Sequence, residues 1–354
     1  MFICSCGIDS ATQRRDAVGV IASVAFRNFK ALRNTSLALA PFNLVIGPNG
    51  SGKTSLIQAL LRLRTLSRLP LREPVGEGAR EIVDGPDLTF RFLPPHEDTE
   101  AVMSCVSDVQ CDLLQISPLR PGDAPGDWPA LRARLQRIRG FAFDDREMAA
   151  PSPARQGGEL AANGSNLAAV LAGLRVRAPA ALEALRKELC RILPEYDDFS
   201  LEARTDGTVE LALRLAEDRQ KVTADNLSEG TLYLLAMLTL AFDPEPPSIA
   251  GFEEIDRGFH PRLLREVRDV LYRLSHPQSF GLERAPVQVV ATTHSPYLLD
   301  LFREHPEEIV ISEKRGAAAT FSRLGDRADL RELLQDGSLG DLWFSGILGG
   351  VPQE

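Results

Sequence analysis

The residues best suited to chemistry are Gly47-Pro48-Asn49-Gly50-Ser51-Gly52-Lys53-Thr54, which satisfy the spacing G-x-x-x-x-G-K-[ST]. Glycines in that pattern let the backbone wrap around a phosphate with its N–H groups pointing inward. The spacing predicts a tight loop between a strand at Phe42 to Ile46 and a helix at Lys53 to Leu66, whose N-terminus adds positive potential. Gly47, Asn49, Gly50, Ser51, Gly52, Lys53, Thr54 and Ser55 are the candidate triphosphate-binding residues. Lys53 would reach the outer phosphates and Thr54 would ligate magnesium.

Two later segments end apolar strands in polar residues. Ile249-Ala250-Gly251-Phe252-Glu253-Glu254 carries adjacent acids, which suits one carboxylate on a metal shell, Glu253, and one that polarises an attacking water, Glu254. Val287 to Ala291 leads into Thr292-Thr293-His294-Ser295-Pro296. A histidine at a strand tip can donate to a terminal phosphate and hold a water in line. Of the five histidines, His294 alone follows such a strand after the acids. Between these segments, Asn226-Leu227-Ser228-Glu229-Gly230-Thr231 precedes an apolar helix from Leu232 to Phe242. Ser228 can cap that helix. It can also, with Gly230, present donors to a phosphate held by a neighbouring molecule.

In this order GPNGSGKT, LSEGT, GFEEID and TTHSPYLLD resemble the ABC-type ATPase heads of the RecF, SMC and OLD (overcoming lysogenization defect) family. The resemblance covers residues 20 to 66 and about 160 to 350. It implies an α/β P-loop NTPase fold with a mainly parallel central sheet, an antiparallel β part and an inserted α/β lobe. It implies that Ser228 and Gly230 complete the site of an opposing subunit in an ATP-dependent homodimer, that His294 is the switch histidine, and that Asp256 belongs to the loop communicating across the dimer. Phe26-Arg27-Asn28-Phe29-Lys30 resembles the family's opening strand and turn, where basic residues lie near nucleotide or DNA.

The chain departs from the family in several places. Glu253 stands where aspartate is usual, one methylene longer but still a carboxylate. The glutamine found after an early strand has no clear counterpart, Gln156 being the candidate. No heptad arms are present, and the 60 residues after His294 are too few for the TOPRIM nuclease domain of OLD proteins. The expected role is therefore an ATPase acting on DNA or controlling a separately encoded nuclease, in repair or in antiviral or mobile-element defence. A slow nucleotide-switched scaffold is the alternative. A transporter ATPase is disfavoured because LSGGQ and an Asp-Glu pair are both missing.

The elements that must position these residues follow from periodicity. Val20 to Phe26, Thr35 to Ala40, residues 101 to 113, Val209 to Leu215, Ser248 to Phe252, Val287 to Ala291 and Glu308 to Ser312 read as strands. In the 101–113 strand, Met103, Cys105, Val109, Cys111 and Leu113 are expected to share one face. Trp128 to Ile138, Asn166 to Leu174 and Pro179 to Leu193 read as helices. The expected division is a tail at 1–19, a head at 20–66 and 166–354, and an inserted lobe at 67–165. Arg132, Arg134, Arg137 and Arg139 form a basic stretch that either faces solvent or touches phosphates.

The 354 residues are 44% hydrophobic and 25% charged, enough for a large core. A net charge of -9 argues against a globally basic nucleic-acid binder. Lysine occurs only at 30, 53, 187, 221 and 314 against 35 arginines, a bias attributed to genome composition. Cysteines at 4, 6, 105, 111 and 190 suggest neither a disulfide framework nor a zinc cluster, which fits a reducing cytoplasm. Neither a secretory signal nor an 18-residue apolar run is evident, so no membrane association is expected.

Overall fold

A computed structural model describes residues 19–69, 85–108, 110–119 and 127–349. The chain opens with β1 (Ile21–Phe29), β2 (Leu32–Ala38) and β3 (Phe42–Ile46), then the glycine-rich loop and α1 (Lys53–Leu66). Next come β4 (Asp87–Phe92), β5 (Thr99–Ser107), β6 (Gln110–Pro118), α2 (Trp128–Leu135), β7 (Ile138–Phe141), α3 (Asp145–Ala149) and β8 (Ser152–Pro153). Two helices, α4 (Leu167–Arg177) and α5 (Pro179–Ile192), precede β9 (Tyr196–Ala203), β10 (Thr208–Leu215) and β11 (Lys221–Thr223). The last part runs α6 (Glu229–Phe242), β12 (Ile249–Phe252), α7 (Leu264–Ser275), β13 (Gln288–Thr293), α8 (Pro296–Asp300), β14 (Ile309–Arg315), β15 (Ala318–Arg323), α9 (Leu330–Asp336) and α10 (Leu339–Phe344).

Eleven strands form one sheet in the order β6-β5-β4-β1-β2-β15-β14-β3-β13-β12-β7. From β14 to β7 every pairing is parallel, and the glycine-rich loop, the two acids and His294 follow the carboxyl ends of strands in this stretch. From β6 to β2 the pairing is antiparallel. Strand alternation divides the core between the two faces. Phe42, Leu44 and Ile46 of β3 pack with α4 to α8, while Val45 packs with α1. Helix α1 lies close to the sheet because β7 and β12 offer glycines beneath it. A Cβ at Gly251 would come within 2.9 Å of Ile57, and one at Gly140 within 2.9 Å of Leu61. Helix α6 is buried all round from Gly230 to Phe242, as its unbroken apolar sequence requires.

Residues 67–165 contribute to the sheet at both ends: β4 to β6 extend it beyond β1, and β7 forms the edge next to β12. Three expectations change here. The strand expected at 101–113 is two strands of a hairpin, in which Met103 pairs with Leu114. Val109 lies outside the described residues. The hairpin brings Cys105 and Cys111 into register, and they form a disulfide that their spacing did not suggest. Cys4 and Cys6 also lie outside the described residues, as does the expected tail apart from Gly19. Ile138 belongs to β7 and not to the preceding helix, because its backbone pairs with Ile249.

The basic stretch is neither a solvated face nor a row of free cations. Arg132 donates to the carbonyls of Ser67 and Arg68, Arg134 to that of Gly19, and Arg137 to that of Pro246. Arg139 pairs with Glu159. These guanidiniums fasten loops around α2 and β7. Among the described residues, no helix is long and apolar enough to cross a membrane.

Candidate active site

The loop from Gly47 to Gly52 joins β3 to α1 at the carboxyl end of the parallel strands. Gly50 (φ 72°) and Gly52 (φ 98°) adopt the left-handed conformation that side chains disfavour. Gly47 is needed for space, since a Cβ there would meet the Ser312 carbonyl oxygen at 2.4 Å. On the far side the Ser312 hydroxyl donates to the Ser51 carbonyl at 2.6 Å, fastening β14 to the loop. The Lys53 ammonium folds back onto the carbonyls of Gly47 and Pro48 at 2.7 and 3.0 Å. Burial lowers its pKa from 10.5 to about 8, against the opposing pull of Glu254.

A cavity of about 210 Å³ lies over this loop, bordered by Asn49, Lys53, Thr54, Glu253, Glu254 and His294 among others. Thr54 Oγ1 donates to Glu253 Oε2 at 3.1 Å. Glu254 takes a positive φ of 50°, rare for a non-glycine residue, and its N–H donates to Thr292 Oγ1 at 3.0 Å. Thr292 thus holds the turn that follows β12, a part that the sequence reading did not give it. Burial, and then the neighbouring Lys53 charge, lower the His294 pKa and favour a neutral imidazole. Lys30 and Ala31 of the β1–β2 turn also border the cavity.

Asp256, Ser228, Gly230 and Gln156 sit apart from this cavity, and a hydrogen bond links Asp256 to the strand that borders it. Thr293 Oγ1 donates to Asp256 Oδ1 at 2.6 Å, linking the strand that ends in His294 to the loop after the acids. That loop packs under the tip of α6, where Arg257 pairs with Glu229 at 2.8 Å. Gly230 touches the same loop, since a Cβ there would lie 2.6 Å from the Gly258 carbonyl oxygen. Ser228 is the N-cap of α6, accepting from the Thr231 N–H at 3.1 Å. Ser228 and Gly230 do not border that cavity. Gln156 lies on a short turn whose carbonyl accepts from Asn166, also away from it.

A glycine-rich loop on a parallel sheet, two acids on the strand beyond its neighbour and a histidine on the strand between define a P-loop ATPase head of the ABC type. A family profile described as "AAA domain, putative AbiEii toxin, Type IV TA system" matches residues 118–300, just over half of the chain, and the chain belongs to that family. A second profile, described as an AAA ATPase domain, matches residues 20–98. The DNA replication and repair protein RecF of Erwinia tasmaniensis is 46% identical over 44 residues, which span only 12% of this chain and 12% of that protein. Among solved structures, an SMC head bound to the C-winged helix domain of ScpA is similar with a TM-score of 0.57 at 13% identity, covering 86% of this chain and 97% of that one. An SMC head with an extended coiled coil, bound to the C-terminal domain of ScpA from Pyrococcus furiosus, gives 0.54 at 14%, covering 89% and 99%. At such identities the likeness is one of fold. The protein is an ATPase with a RecF- and SMC-like head.

Proposed function

We propose that the chain binds Mg-ATP in the cavity above Lys53 and hydrolyses it as a head-to-tail homodimer. The observation carrying this reading is the meeting of Lys53, Thr54, Glu253, Glu254 and His294 around one cavity, with Ser228 and Gly230 outside it. Loop N–H groups and Lys53 hold the outer phosphates. Thr54 and Glu253 offer adjacent oxygen donors, the chemistry that magnesium prefers. Bound there, the metal would neutralise charge on the outer phosphates. Among the described residues no three His, Cys, Asp or Glu side chains cluster as a metal site, in keeping with an ion held partly by the nucleotide. Glu254 accepts the proton of the attacking water, and His294 donates to the terminal phosphate. Ser228 and Gly230 meet the partner's nucleotide, and Asp256 carries the state of one site toward the other.

The output of this cycle is action on DNA or control of a separate nuclease, in repair or in defence against phage and mobile elements. The family's description as a putative toxin of a type IV system and the RecF relative's name support that direction. The test is Glu254→Gln. It should bind ATP as wild type does, lose hydrolysis by at least about a hundredfold, and accumulate ATP-dependent dimers in light scattering. Hydrolysis at the wild-type rate would remove Glu254 as the base. A protein that stays monomeric under saturating ATP would remove the shared site.

A further inference from the structure

We propose that Lys314, at the end of β14, is a second ammonium for the bound triphosphate, acting from the flank of the loop opposite the acids. The inference rests on the nucleotide site proposed above. Lys314 Nζ lies 3.4 Å from where a Cβ on Gly50 would be, and Gly50 borders the phosphate cavity. Its position is fixed by the strand beneath it: Ser312, two residues earlier, bonds to the Ser51 carbonyl, and Gly47 is packed against the Ser312 backbone.

Lys314 lines a neighbouring cavity of about 330 Å³ with Glu313, Arg315 and Arg327, and neither acid of this surface pairs with it. Neighbouring Glu313 pairs with Arg315, and Arg327 on the other side of the same surface pairs with Asp329. Among the described residues the Lys314 ammonium makes no hydrogen bond or ion pair. The other lysines are engaged: Lys30 with Gln58, Lys53 with the loop carbonyls, Lys187 with Glu183 and Lys221 with Glu202. An unpaired cation held half-buried beside a phosphate cradle is stabilised once an anion arrives. Composition points the same way. In a chain with 35 arginines, two of only five lysines, 30 and 53, border the cavity and a third, 314, lies beside Gly50.

The experiment compares wild type, Lys314→Gln and Lys314→Arg by titration with a fluorescent non-hydrolysable ATP analogue, beside their melting temperatures without nucleotide. Lys314→Gln should raise Kd about tenfold, the lower end for a charged hydrogen bond that is partly exposed. Its nucleotide-free melting temperature should be unchanged, and Lys314→Arg should recover part of the affinity. A wild-type Kd in Lys314→Gln overturns the proposal. So does a weaker Kd accompanied by a matching fall in nucleotide-free stability, which marks Lys314 as a mere prop of the loop. Wild type that binds no analogue refutes the nucleotide site itself, so the two failures are distinguishable.

Discussion

Thr54 Oγ1 donates a hydrogen bond to Glu253 Oε2 across 3.1 Å, joining residues 199 positions apart. The contact places a hydroxyl and a carboxylate side by side at the mouth of the cavity. Glu253→Gln keeps the acceptor and removes the charge, so magnesium-dependent ATP affinity should fall about tenfold or more while metal-free binding is retained. Titrations with magnesium and with EDTA measure the two parts. Equal magnesium enhancement in variant and wild type would place the metal elsewhere.

Nucleotide affinity should depend on pH through Lys53. Burial lowers the free ammonium to about 8, and a bound phosphate raises it again, so the charged form is the one that binds. Kd should be flat below pH 7.5 and weaken by up to about tenfold per unit above pH 8. Lys53→Met should bind far more weakly, with no slope in that range. A flat wild-type profile up to pH 9.5 contradicts the assignment.

Gly230→Ala introduces a methyl facing a backbone oxygen at 2.6 Å, which cannot swing aside as a side chain could. The tip of α6 must move away from the Gly258 loop, at a cost of about 1–3 kcal/mol. ATP binding to the isolated chain should survive, while ATP-dependent dimers of the Glu254→Gln background should be lost. Sedimentation velocity with and without ATP reads this directly; intact dimers would show that the α6 tip plays no part in pairing.

Away from the site, Tyr272 stacks on Phe42 at 5.2 Å and its hydroxyl meets Glu308. Burial raises Glu308 from 4.5 to about 6, the Tyr272 hydrogen bond opposing the shift. The penalty for ionising it is absent below its ordinary pKa, grows as pH rises from 4.5 to 6, and is complete above that. Glu308→Gln should therefore be more stable than wild type at pH 7.5 by up to about 2 kcal/mol, a gain that vanishes near pH 4.5. Melting curves at the two pH values test it, and a pH-independent difference would rule out ionisation as the cause.

What the sequence could determine was local. The loop spacing, the helix at Lys53–Leu66 and the strand at Phe42–Ile46 match the structure because each depends on neighbours within a few positions: glycines at set intervals, apolar residues at a helical or alternating period. The two acids and the histidine could be named because polar residues ending apolar strands have few other uses beside such a loop. Tertiary structure decided what depends on long-range pairing. The Ile138–Ile249 register turned a helical end into β7, and the antiparallel pairing of β5 with β6 split one expected strand and brought Cys105 to Cys111. Arginines that read as a basic face found carbonyl partners as far away as Pro246. The proximity of Lys314 to Gly50 is set by β14 lying beside β3. A linear pattern carries no signal for that order, because hydrogen-bonded strands become neighbours only when the whole sheet has closed.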